Sequence, residues 1–141
     1  MRHPAITFTL LILILSSCRL GGKSSDYPAL LPMPEEVVWQ DGGVVPLTKG
    51  HTIVLPSSDE RNRVLVEGLN ADLSKAGLPT LELTPEYTYG SVVCTIDKKE
   101  LTTPGAYSLS VKRGGIRITA ADEDGIGYAI QTLRQLILPT G

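Results

Sequence analysis

Between Tyr107 and Ala120 apolar and polar residues alternate. Tyr107, Leu109 and Val111 are interleaved with Ser108, Ser110 and Lys112; beyond a Gly-Gly pair, Ile116, Ile118 and Ala120 are interleaved with Arg117 and Thr119. A period of two means that one face of each strand is buried, so the stretch predicts a β-hairpin. A two-residue turn at Arg113-Gly114 sets Val111 opposite Ile116, Leu109 opposite Ile118 and Tyr107 opposite Ala120. A turn at Gly114-Gly115 shifts the pairs by two and still matches apolar to apolar. A three-residue loop would oppose apolar to polar positions, so an even loop is expected. The period then changes. Ile126, Ile130, Leu133 and Ile137, flanked by Ala129 and Leu136, fall on one helical face. Asp122, Glu123 and Asp124 supply acceptors and negative charge where a helix starts, and Pro139 stops it.

The same reading extends backwards. Pro85 to Gly90 is a loop, and Lys98 to Gly105 is another. Ser91 to Asp97 predicts a strand with Val92, Cys94 and Ile96 on one face, and Thr80 to Leu83 a short one. An earlier helix opens at Pro56 to Glu60, where Ser57 and Glu60 have capping-box spacing. Its apolar positions are Val64, Leu65, Leu69, Leu73 and Ala76, and Gly77 with Pro79 ends it. His51 to Leu55 is β-branched and predicts a strand. Before it, Leu31-Pro32-Met33-Pro34 is an extended lead-in continuing as a strand over Glu36 to Gln40. A turn at Asp41-Gly42-Gly43 then lets Val44 to Leu47 pair back. The expected fold is α+β: a two-layer sandwich, a mostly antiparallel sheet with two helices packed on one face.

The N-terminus carries a different signal. Ala5 to Leu15 is an 11-residue, nearly unbroken apolar run behind Arg2. A membrane-spanning helix needs about 20 residues, so the run has the length of a signal-peptide core. Leu15-Ser16-Ser17-Cys18 follows and resembles a bacterial lipobox, which implies cleavage before Cys18 and lipidation of its thiol. The chain therefore divides into a leader (1–17), a Gly/Ser-rich tether (18–26) and one domain (27–141). The acyl chains at Cys18 would hold it on a membrane. The expected location is the bacterial cell envelope, on the outer membrane, facing the periplasm or the surface.

Loss of the leader removes Arg2 and no acid, leaving 12 basic residues against 15 acidic, a net charge of −3. There is no basic stripe and no aromatic stacking array, so nucleic acid is not an expected partner. Chemistry-bearing residues are few. Cys94 lies on an apolar face and reads as an inert buried thiol. His51 is the one His past the leader and has no partner in the pattern, so no metal site is expected. Gly125-Ile126-Gly127 opens a helix after a strand, but it lacks a third Gly and three acids precede it, which excludes a dinucleotide loop. Asp59-Glu60 and Asp122-Glu123 resemble catalytic acid pairs, yet both sit at helix starts and read as caps. Catalytic, cofactor and metal residues are thus expected to be absent.

Several segments together resemble a known family. They are Leu31-Pro32-Met33-Pro34, Ile53-Val54-Leu55, Ala106-Tyr107-Ser108-Leu109, Gly115 to Ala121, and Gly125 to Leu136. The chain from about residue 27 to 138 is similar to the N-terminal domain of glycoside hydrolase family 20, the β-N-acetylhexosaminidases. The resemblance implies an accessory α/β domain ahead of a (β/α)₈ barrel that removes terminal N-acetylhexosamines with retention. In such enzymes the substrate's acetamido oxygen is the nucleophile, an Asp orients it and the next Glu is the acid. That Asp-Glu pair follows two glycines. Asp59-Glu60 follows Ser57-Ser58 and Asp122-Glu123 follows Ala120-Ala121, so neither carries over. A barrel of about 250 residues has no room within these 141.

The resemblance therefore implies a surface-anchored hexosaminidase of which this segment is the bracing, inactive part. Its partners would be the barrel of the same polypeptide and, through Cys18, lipid, with glycan meeting only the barrel. An exposed apolar patch is expected where the barrel docks. Accessory domains of O-GlcNAc hydrolases, α-N-acetylglucosaminidases and α-glucuronidases are alternatives. A stand-alone glycan-binding lipoprotein is another, with Tyr87 and Tyr89 as its best aromatic candidates, although an edge-strand pair is the favoured reading of these two.

Overall fold

The computed structural model describes residues 30–38, 45–56 and 59–138. Its elements run β1 (Thr52–Val54), α1 (Glu60–Lys75), β2 (Glu82–Leu83), β3 (Val92–Ile96), β4 (Tyr107–Lys112), β5 (Gly115–Ala120) and α2 (Glu123–Ile137). The sheet order is β2-β1-β3-β5-β4.

The hairpin takes the Arg113-Gly114 turn. Lys112 pairs with Gly115, Val111 with Ile116, Leu109 with Ile118 and Tyr107 with Ala120. Of the two even turns, this one pairs both strands along their full length, and it puts the exposed Arg113 and Gly114 at the tip.

The expectation of a mostly antiparallel sheet is corrected. β4 and β5 are antiparallel, but β1 pairs in parallel with both β2 and β3, and β3 pairs in parallel with β5. The reason is the connection between strands. Helix α1 carries the chain back across the sheet, so β2 enters beside β1 in the same direction. The sheet is mixed, with the β4–β5 hairpin at one end.

Register aligns the apolar sides. Ile53 lies beside Val92, Val92 beside Ile116, and Cys94 beside Ile118. These side chains form one buried cluster with Val66, Leu69 and Leu73 of α1 and with Ile126, Ala129, Ile130 and Leu133 of α2. Thr95, Ser108 and Arg117 point the other way and are exposed. The result is a two-layer α+β sandwich with both helices over the apolar face.

Two further expectations change. Glu36 to Val38 and Val45 to Leu47 are not in strands, and Val37 and Val38 are exposed; Trp39 to Val44, including the Asp41-Gly42-Gly43 turn, lie outside the described residues. In α1 the buried stripe is Asn62, Val66, Leu69 and Leu73, while Val64 is 55% exposed. A polar side chain occupies the first core position because a partner for its amide comes from α2. That shifts the stripe off Val64, which periodicity had favoured.

Candidate functional site

The two acidic pairs singled out by sequence meet at one corner of the fold, where α1 and α2 both begin. Asp59, and not Ser57, is the N-cap of α1: its Oδ1 accepts from the Arg61 amide at 2.8 Å. Ser57 lies outside the described residues. Asp122 is the N-cap of α2. Its Oδ1 accepts from the Gly125 amide and its Oδ2 from the Gly105 amide, each at 2.9 Å. Each helix start leaves backbone N–H groups without intrahelical partners, and these carboxylates supply acceptors.

Asp124 and Glu123 of α2 are held by side chains of α1. Arg61 donates through Nη2 to Asp59 Oδ2 and through Nη1 to Asp124 Oδ1, both at 3.0 Å. Buried Asn62 donates from Nδ2 to the Glu123 carbonyl at 3.1 Å and to Glu123 Oε2 at 2.9 Å. Further along, Arg134 of α2 pairs with Asp72 of α1.

The electrostatics match a structural corner. Hydrogen bonding from Arg61 is the main influence holding the Asp59 carboxyl below its usual range. For Asp122 the Gly125 amide is the largest cause and the Gly105 amide the next.

The other candidates are equally tied down. Cys94 is 2% exposed in the middle of β3. Burial, aided by the charge of Glu123, pushes its thiol up to about 12; a protonated, enclosed thiol is no nucleophile. His51 stands at a shallow cleft with Lys49, Leu78, Pro79, Thr80 and Glu82, and its Nε2 lies 3.2 Å from Thr48 Oγ1. Among the described residues, no group of three His, Cys, Asp or Glu side chains could hold a metal ion. Tyr87 and Tyr89 are exposed in the loop before β3, not on an edge strand. Tyr89 donates its hydroxyl to the Arg113 carbonyl at 2.9 Å, linking that loop to the hairpin tip. Cys18 lies outside the described residues. No described helix is long and apolar enough to cross a membrane.

The Gly125-Ile126-Gly127 element has a packing purpose. A Cβ on Gly125 would come within 2.6 Å of the Ala106 carbonyl oxygen and 3.0 Å of the Ala120 Cβ. On Gly127 it would meet Asn62 Oδ1 and Leu65 Cδ1, each at 3.3 Å. The glycines let the first turn of α2 sit against the hairpin and against α1.

Sequence reasoning missed three amides that organise the chain. Asn62 is one. Asn70 is the second: its Nδ2 donates to the Leu81 carbonyl and its Oδ1 accepts from the Leu81 amide, both at 2.8 Å. Gln135 is the third, and does the same to Leu31 at 2.7 Å. Each of the last two acts as a strand neighbour for one residue. The available signal was Asn inside a helix, where it competes poorly with straight-chain residues unless its side chain has a partner.

With these geometries established, the similarities of the chain can be read against them. The model of glycosyl hydrolase family 20, domain 2, matches residues 27–141. Among solved structures the chain is similar to the GH20 β-N-acetylhexosaminidase from Streptomyces coelicolor A3(2), with 31% identity and a TM-score of 0.48. That alignment covers 63% of this chain and 17% of the Streptomyces chain, so the present chain spans a minor part of its relative. No curated protein matches the sequence. The family match spans the sheet, both helices and the glycine-led start of α2, and the chain belongs to glycosyl hydrolase family 20, as its domain 2.

Proposed function

We propose that this chain is the non-catalytic accessory domain of an exo-acting β-N-acetylhexosaminidase that removes terminal N-acetylhexosamines from glycans. The observation that carries the reading is the family match across residues 27–141. A second observation is consistent with it. Both Asp-Glu pairs start helices, with Asp59 and Asp122 as the N-caps.

In this reading a separate barrel in the same polypeptide carries the acetamido-assisted hydrolysis, and the present domain braces it. The leader and Leu15-Ser16-Ser17-Cys18 add an envelope lipoprotein, acylated at Cys18. The decisive experiment compares two proteins. A polypeptide extended through the downstream reading frame should release the chromogenic aglycone of an N-acetylglucosaminide, and residues 18–141 should not. Turnover by residues 18–141, or a downstream frame without a barrel, defeats the reading. For the anchor, Cys18→Ser should move the protein from the membrane fraction to the soluble fraction. Retention in the membrane fraction would count against lipidation.

A further inference from the structure

Leu31 and Met33 are 74% and 81% exposed, the highest values for large apolar side chains among the described residues. They do not hang on a loose end. Leu30 beside them is buried at 6%. The backbone of Leu31 is gripped on both sides by the Gln135 side chain, which accepts from its N–H and donates to its carbonyl at 2.7 Å. The segment is thus fastened to the last turns of α2, with two apolar side chains held outward. Val37 and Val38 continue the exposed apolar character along the same segment, and Leu136 and Leu138 are half-buried at the end of α2. An ordered backbone that presents apolar side chains to water is the arrangement of a surface made for a partner.

The position of this platform selects the partner. It sits against Gln135, and α2 ends two residues later at Ile137. A domain following α2 in the polypeptide would therefore begin within reach of Leu31 and Met33. The family to which the chain belongs places this unit as domain 2 of a larger assembly. A lipid surface fits less well, because exposed Glu35 and Glu36 follow directly and would face anionic headgroups.

We infer that Leu31 and Met33, braced on α2 by Gln135, form the docking platform for the catalytic barrel of the same polypeptide. This rests on the function proposed above. It adds the surface through which the two domains are held.

Met33 is itself a reporter, being the one Met in residues 18–141. Peroxide oxidation of Met33 is followed by peptide mass spectrometry in the polypeptide extended through the barrel, native and in urea. Native protein should oxidise at Met33 about tenfold or more slowly than urea-unfolded protein, and the 141-residue chain should oxidise near the unfolded rate. Gln135→Ala in the extended protein should return Met33 part of the way to the unfolded rate. Equal native and unfolded rates in the extended protein overturn the platform. So does protection already present in the 141-residue chain that grows with protein concentration, which assigns the surface to a second copy. Protection that appears only with anionic vesicles overturns it too. If no barrel is encoded downstream, the functional reading falls with it; if one is encoded and Met33 stays reactive, the platform alone falls.

Discussion

At the scale of single residues, space and hydrogen-bond partners decide each role. Gly125→Ala would put a methyl group 2.6 Å from the Ala106 carbonyl oxygen, a contact that backbone atoms cannot relieve by a rotamer change. It should destabilise the fold by about 2–3 kcal/mol. Gly68 is the control, because a Cβ there meets nothing within 4 Å. Gly68→Ala should stabilise by about 0.5–1 kcal/mol, through helix propensity alone. Urea denaturation of both variants checks the pair, and a Gly125→Ala variant as stable as wild type would contradict the packing account. Cys94, with its thiol pushed up to about 12 by burial, should resist a thiol reagent at pH 8 in native protein and react at once in urea.

Acid titration belongs to this scale as well. The Asp122 carboxyl is held below its usual range by the Gly125 and Gly105 amides, so the unfolded chain binds that proton more tightly than the folded one. Its stabilising contribution is complete above the unfolded value of about 3.9 and is lost as pH falls through the lower folded value. Asp122→Asn keeps a capping oxygen but removes the charge. The variant should show a flatter fall of stability below about pH 4 than wild type, measured as the urea midpoint against pH. Parallel curves would mean that Asp122 is not a source of the acid sensitivity.

At the scale of elements, local pattern and long-range partners divide the work. The hairpin and both helices follow from periodicity, because burial of one face is written as a period of 2 or 3.6 in the chain. The end of α1 is equally local. Gly77 adopts a φ of +71°, and its amide reaches the Ser74 carbonyl while the Leu78 amide reaches that of Leu73. This is a Schellman closure, legible from Gly77 and Pro79. The edge strand β2 is different. It has two residues and is positioned by Asn70 of α1, whose amide matches both backbone groups of buried Leu81. Asn70→Ala would leave both groups unpaired. It should cost about 1–3 kcal/mol and raise amide exchange across β2 before the rest of the sheet. Unchanged exchange at Leu81 to Leu83 would show that β1 holds the strand unaided.

At the scale of the whole molecule, the fold is a two-layer α+β sandwich. Its two layers close over one apolar cluster, its acids cap and clamp the two helix starts, and its exposed apolar residues include the pair braced by Gln135. The sequence by itself determined the hairpin pairing to within two registers, the span of α2 and its acidic start, the inert character of Cys94 and the family resemblance. All of these are encoded in neighbours close along the chain. Only the tertiary structure decided that β5 inserts between β3 and β4 and that three strand pairs are parallel. It alone showed that Asn62, not Val64, joins the core, and that Gln135 fastens Leu31 across 104 positions of sequence. The physical reason is the same in each case. A polar side chain can be buried, and a strand can choose its neighbour, only when a complementary group arrives from a distant part of the chain, and periodicity carries no record of that arrival.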